Sequence, residues 1–298
     1  MSVAPTNDYT RAGVWKIRGA SNIVYLAGTS HIVGADQVPF PSPFYAAYDD
    51  SREIYVEYDT HSFLGQLRII PKAVKWVRSH QSEFVCPRGE TIANYVSPET
   101  LEKLKAHYGK KFTKRQRFTP LMLLFFNEFE GEPSPQGAAT GVEDVFMLAA
   151  ERDGKPLRAL DDKQVIDTAM LALDEMVAGL RAEIVKRGVD AVIEDKIIHP
   201  TPEDPQDDLW RKGDLDGIEK FQVEMKNESP EFFERGLVDR NHKWMPRIEA
   251  ALRGKRNVMI LVGCGHLGGD IGLLKLLRDA GYDPQQLYGV DRPPVSGR

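Results

Sequence analysis

Two histidines in this chain are delivered in the same way. Gly28-Thr29-Ser30-His31 follows directly on the apolar run Asn22–Ala27, and Gly263-Cys264-Gly265-His266 follows directly on the apolar run Asn257–Val262. In each case a buried strand is expected to leave a sheet, a glycine permits a tight turn, and an imidazole is set at the rim, where strand ends bind ligands. With 25 glycines and 7 histidines in 298 residues, about 0.6 Gly-x-x-His matches arise by chance. The pattern therefore takes its weight from the strands that precede both copies. Either imidazole alone reads equally well as a structural histidine.

Glu57 is the third candidate, in Tyr55-Val56-Glu57-Tyr58-Asp59 at the end of the β-rich run Glu53–Tyr58. A carboxylate inside an apolar β run is costly unless it is paired, protonated or bound to metal. The plainer reading is that strand alternation turns Glu57 to solvent while Val56 and Tyr58 face inward. Two imidazoles and one carboxylate can hold a divalent ion such as Mn, Co or Zn and leave a position open for water, whose pKa the ion lowers toward neutrality. The sequence has no His-Glu-x-x-His, so such a site must be assembled from both ends of the chain.

The elements that would position these residues are legible at the two ends. Gly13–Gly19 alternates apolar and polar residues and pairs as a hairpin with Asn22–Ala27. Glu53–Tyr58, Asn257–Val262 and Gln286–Val290 are the other expected strands. The middle reads as helical. Ser97-Pro98-Glu99 is an N-cap, a proline at the first position and a first-turn acid. Thr119-Pro120 opens a helix that is apolar on all sides, hence buried. Further helices are expected over Gly141–Arg152, Lys163–Lys186, Ser229–Leu252 and Gly269–Ala280, the last capped by Gly281. His199–Asp208, rich in Pro and Asp, is a loop or linker. The expectation is an α/β (α+β) fold. One domain, residues 1–298 with a core of about 13–290, would place a mixed sheet from both termini beneath a helical cover of about 97–252.

Composition narrows the partners. A net charge of −5 and the absence of a long Lys/Arg block argue against nucleic acid or anionic membrane as the main partner. No apolar stretch reaches the ~18 residues of a spanning helix. The polar stretch Met1–Arg11 is not a signal peptide as written, which leaves the compartment open. Cys86 and Cys264 can form one disulfide at most, and a buried inert thiol is the favoured reading of Cys264.

Several blocks in order resemble the TraB/GumN family. They are Gly28–His31, Glu57, Phe118-Thr119-Pro120, Gly141-Val142-Glu143-Asp144, Trp210 with Gly213-Asp214-Leu215, Arg240-Asn241 with Trp244, and Val262–Leu267 with Gly269. The tryptophan usual after Pro120 is absent. The resemblance spans nearly the whole chain and implies a fold like that of the erythromycin esterases and the haem-binding ChaN-like proteins. Tiki proteins of this wider group are metal-dependent proteases with two Gly-x-x-His motifs and a glutamate. By that resemblance His31, Glu57 and His266 are the implied metal ligands and catalytic groups. Arg240 would clamp a carboxylate or steady an oxyanion, against the plainer reading of a helix-surface ion pair. Asn241 would orient a ligand or cap a loop.

One block departs from the pattern. Leu160-Asp161-Asp162 stands where a Leu-Glu-Thr-like block is expected, and Asp161 reads as the N-cap of the next helix or as a shortened base or ligand. Glu143 reads as a first-turn acid or as a second carboxylate. The expected function is a metal-dependent, peptidase-like hydrolase acting on a peptide or small acyl substrate, with a homodimer allowed. The alternatives are a metal-free esterase-like hydrolase with a histidine base, and a non-catalytic protein that binds peptide, or haem through His31 or His266.

Overall fold

A computed structural model describes residues 9–30, 33, 37–58, 63–129, 141–161, 165–200 and 209–291. The chain forms two compact units. The first comprises residues Met1–Gly65, Glu132–Val165 and Asp204–Arg298, and the second Gln66–Gly131 and Ile166–Glu203.

The first unit is built on a six-stranded mixed sheet. Its strands are β1 (Tyr9–Arg18), β2 (Ile23–Thr29), β3 (Glu53–Val56), β4 (Leu157–Ala159), β5 (Val258–Gly263) and β6 (Gln285–Val290), in the order β4-β3-β5-β2-β1-β6. β1 pairs antiparallel with β2 and β6, whereas β2, β3, β4 and β5 run parallel. The two termini thus share one sheet, as expected, and β5 lies between β3 and β2. The central strands read as continuous apolar runs because both faces are covered. Val24, Leu26, Ile260 and Val262 pack with Trp244 and Ile248 on one face. Ala27, Val56, Met259 and Leu261 pack with Phe44 and Phe146 on the other.

The second unit is helical. Phe84, Leu104, Leu124, Phe125, Leu180 and Val192 are among the residues of its core. The helix Pro98–Tyr108 starts as its sequence predicts, with the Ser97 hydroxyl accepting from the Thr100 N–H. Pro120–Phe129 has buried residues on several sides, as its composition requires.

Several expectations need correction. Helices at Ser42–Asp50, Phe63–Ser79 and Leu215–Glu228 were not anticipated, so helix begins well before residue 97. The strand β4 is only three residues long and carries no periodicity to detect. The run Ser229–Leu252 is helical but contains a π-helical stretch, Phe233–Val238, just before Arg240. The helix expected from Gly269 starts only at Leu273, because side chains from other helices grip the preceding carbonyls. The residues of the expected linker beyond Pro200 lie outside those described. Cys86 and Cys264 are both free. No described helix is long and apolar enough to cross a membrane.

Candidate active site

The site lies in the sheet unit, where β2, β3 and β5 end side by side. Thr29 is paired with Gly263, and Val56 with Leu261. Both Gly-x-x-His turns therefore leave neighbouring strands. Gly28 is closely packed: a Cβ there would lie 2.6 Å from Leu267 Cδ1, which would have to shift. Gly263 is not strained, with φ −50°. Its contribution is its N–H, which donates to Glu57 Oε1 at 2.6 Å. His31 lies outside the described residues. The carbonyl of Ser30 accepts from the Val142 N–H, which ties the β2 exit to the start of the helix Val142–Asp153.

Glu57 does not face solvent. Alternation sets Glu57 on the face of Tyr55, opposite Ile54 and Val56, but that face is covered too, by Trp244 and its helix. The Glu57 carboxylate turns inward and pairs with Arg240 as well as with the Gly263 N–H. The described contacts of Asp161 are made in the site; residues 162–164, where a cap would act, lie outside those described. The β3–β4 pairing continues past the strand ends, with Leu160 N–H donating to Val56 O and Asp161 N–H to Glu57 O, both at 2.8 Å. That register brings Asp161 beside Glu57. Arg240 Nη2 and Nε then reach its two oxygens at 2.7 and 3.3 Å, and Trp244 Nε1 donates to Oδ1 at 2.7 Å. Burial raises the Asp161 pKa, and Arg240 opposes that rise.

Arg240 is no surface ion pair. Its side chain is 14% exposed and is held between Glu57 and Asp161. Burial alone would lower its pKa, but the two carboxylates outweigh it and hold the guanidinium firmly charged. The guanidinium carbon also sits 4.6 Å from the centre of the Trp244 ring, a cation–π contact.

His266 is 4% exposed, and its tautomer can be assigned. Asn241 Nδ2 donates to the carbonyls of His266 at 3.3 Å and Ile271 at 2.8 Å. Carbonyls only accept, so the amide oxygen must be the atom 2.7 Å from His266 Nδ1. Nδ1 therefore carries the proton, and Nε2 faces Arg240 Nη1 at 3.3 Å and Glu57 Oε1 at 3.7 Å. Asn241 thus both orients the imidazole and fixes the following loop. Gln222 braces that loop from another helix, donating to the carbonyls of Gly265 at 2.7 Å and Gly268 at 2.9 Å.

The sequence left Trp244 and Gln222 unassigned. Trp244 stacks on His266 with centroids 4.4 Å apart while its indole nitrogen bonds Asp161. The signal was its spacing of four from Arg240, which places both on one helix face. Glu57 also lines a cavity of about 270 Å³ with Tyr58, Glu143, Met147 and Leu261. Glu143 is in the first turn of its helix, as expected, and forms part of this wall. Burial pushes the Cys264 thiol up to about 11, which keeps it protonated and inert near neutrality. Among the described residues no group of three or more His, Cys, Asp or Glu side chains is arranged to hold a metal ion. The arrangement offers a fixed imidazole nitrogen, a carboxylate and a guanidinium around one point.

A family profile described as the TraB/PrgY/gumN family matches residues 13–286 and so spans both units. No curated protein and no solved structure matches the chain.

Proposed function

Because this chain belongs to the TraB/PrgY/gumN family, we propose that the cluster of Glu57, Arg240 and His266, joined by His31, is the active centre of a hydrolase. It cuts a peptide or another small acyl bond with the help of a divalent ion. The observation that carries the proposal is charge. Glu57 and Asp161 set two carboxylates against the guanidinium of Arg240, and His266 Nε2 faces Glu57 Oε1 from 3.7 Å. Two buried carboxylates beside an imidazole nitrogen favour a further cation, since buried charge needs compensation.

His266 Nε2 and Glu57 would hold the ion, with His31 as a third ligand. The donor types suit Mn, Co or Zn. The 3.7 Å between Nε2 and Oε1 is close to the roughly 3.4 Å separating two ligands of one tetrahedral ion. Such an ion would supply hydroxide near neutral pH. The protein's own residues do the remaining work. Asn241 keeps the proton on Nδ1 and so leaves Nε2 a donor of electrons. Trp244 walls the imidazole on one side. Arg240 faces the negative charge that develops on the acyl oxygen. The cavity beside Glu57 admits the substrate.

One contact favours a second reading. Arg240 Nη1 lies 3.3 Å from Nε2, and a fixed positive charge there opposes a divalent ion more than it opposes a neutral substrate. In that case His266 serves as a general base without metal. Metal analysis together with peptide and ester assays on chelated and Mn-, Co- or Zn-loaded protein separates the two. Stoichiometric uptake and restored turnover, both lost in His266→Ala, are expected. Turnover that survives chelation but not His266→Ala moves the chain to the second reading. Absence of turnover in every state rejects a hydrolase.

A further inference from the structure

The helix Phe63–Ser79 belongs largely to the second unit, and its sequence, FLGQLRIIPKAVKWVRS, holds four basic residues and no acidic one. On a 3.6-residue period its apolar arc runs from Trp76 through Val77 and Ile70 to Val74. Such an arc ordinarily packs by its middle. Here the helix packs by one edge. Trp76 is buried, and its indole donates to Asp174 at 2.6 Å. The middle of the arc faces water: Ile70 is 55% exposed, Val77 50% and Val74 42%. Arg78 borders this crest beside Val74, Lys75 lies on the exposed flank beyond it, and neither makes an ion pair with a described residue.

We propose that this face docks on an anionic lipid surface, with Ile70, Val74 and Val77 entering the headgroup boundary and Lys75 and Arg78 reaching lipid phosphates and carboxylates. A convex aliphatic crest bordered by long cationic side chains is the form of a helix that lies in a membrane interface. A second copy of the chain is a poorer occupant. A symmetric contact through this helix would set one basic border against another, with no acid on the helix to relieve it. An acidic protein is poorer too, because the crest offers no hydrogen-bonding side chain to fix a partner's orientation. Lys72 is paired with Asp167, so the cationic flank offered to a surface is that of Lys75 and Arg78, which the chain's overall charge of −5 conceals. The docking does not depend on the reading of the active site.

The test is co-sedimentation of the full chain with vesicles of phosphatidylcholine alone and of phosphatidylcholine with phosphatidylserine. Binding to the anionic vesicles only, weakened by salt, is expected. Lys75→Gln and Arg78→Gln should each lower the partition coefficient about fivefold, and Val74→Asp should abolish binding. Lys220→Gln, on another helix, should leave it unchanged. All these positions are exposed, so the variants should fold, which circular dichroism checks. Equal binding to neutral vesicles, no binding at all, or undiminished binding by Val74→Asp overturns the proposal. So does self-association in sedimentation equilibrium that Val74→Asp removes while vesicles remain unbound.

Discussion

Arg211 and Arg240 are both withdrawn from water in the sheet unit, yet their surroundings differ in kind. Arg211, 2% exposed, spends its donors on the carbonyls of Gln37, Pro39 and Asp291 and on one carboxylate, that of Asp291, which is itself 37% exposed. Its charge is matched once and its remaining donors meet neutral acceptors. Such an arginine ties three chain segments together and has nothing left to do. Arg240 meets two carboxylates, both more buried than Asp291, and the nitrogen of an imidazole. Its one guanidinium is shared between two acids. Burial of a charge is therefore a weak pointer to chemistry, and an imbalance around it is a better one.

The sharpest test of this contrast is Arg240→Lys, which keeps the charge but loses the planar fork. Turnover should fall about 100-fold or more, while the thermal midpoint moves little; an unchanged turnover would make Arg240 another Arg211. The reverse is expected of Arg211→Ala. It should cost about 3 kcal/mol in denaturant unfolding without a comparable loss of activity per folded molecule. Next in size is Asn241→Ala. By releasing Nδ1 it should lower turnover about tenfold, and the ¹⁵N shifts of His266 should report a mixture of tautomers. Retention of the Nδ1–H form would show that Asn241 is not what holds the ring.

The smallest effect calibrates an ordinary structural acid. Asp190 lies in the helical unit. Burial alone would raise its pKa, but the Ser97 N–H at 2.9 Å and the hydroxyls of Thr100 and Ser97 outweigh this and hold it below the usual value. A depressed carboxyl stabilises the fold above its unfolded pKa of about 4, and that contribution is lost as pH falls through the folded value. Asp190→Asn should cost about 0.5–1 kcal/mol at neutral pH. The difference from the parent chain should shrink below about pH 4 in urea titrations.

The sequence made the sheet legible where strands were long and apolar. β2 and β5 declared themselves, and so did the turns that leave them. Shorter or relational features stayed hidden. Period-two reasoning failed at Glu57 because it took the face opposite Val56 for solvent, whereas both faces of the sheet are covered. Asp161 showed no sign of its tie to Arg240, which is 79 residues away. Gly263 was read as a conformational need, whereas it supplies a donor. The helix Phe63–Ser79 was missed because Gly65 and Pro71 read as helix breakers in its sequence. Families of contacts between distant segments cannot be seen in local periodicity, and the Arg240 cluster is made of such contacts.

The strand order has a consequence for synthesis. β5 fills the gap between β2 and β3, although roughly 200 residues separate it from either. A ribosome that has released β1 to β4 has made a sheet with an open seam through its middle and two bare edges facing it. Such a nascent chain must wait for its last strands before either edge is satisfied, so folding is slow and exposed to aggregation until then. The same delay keeps Glu57 and His266 apart, and the chemistry proposed for them cannot start before the seam is closed.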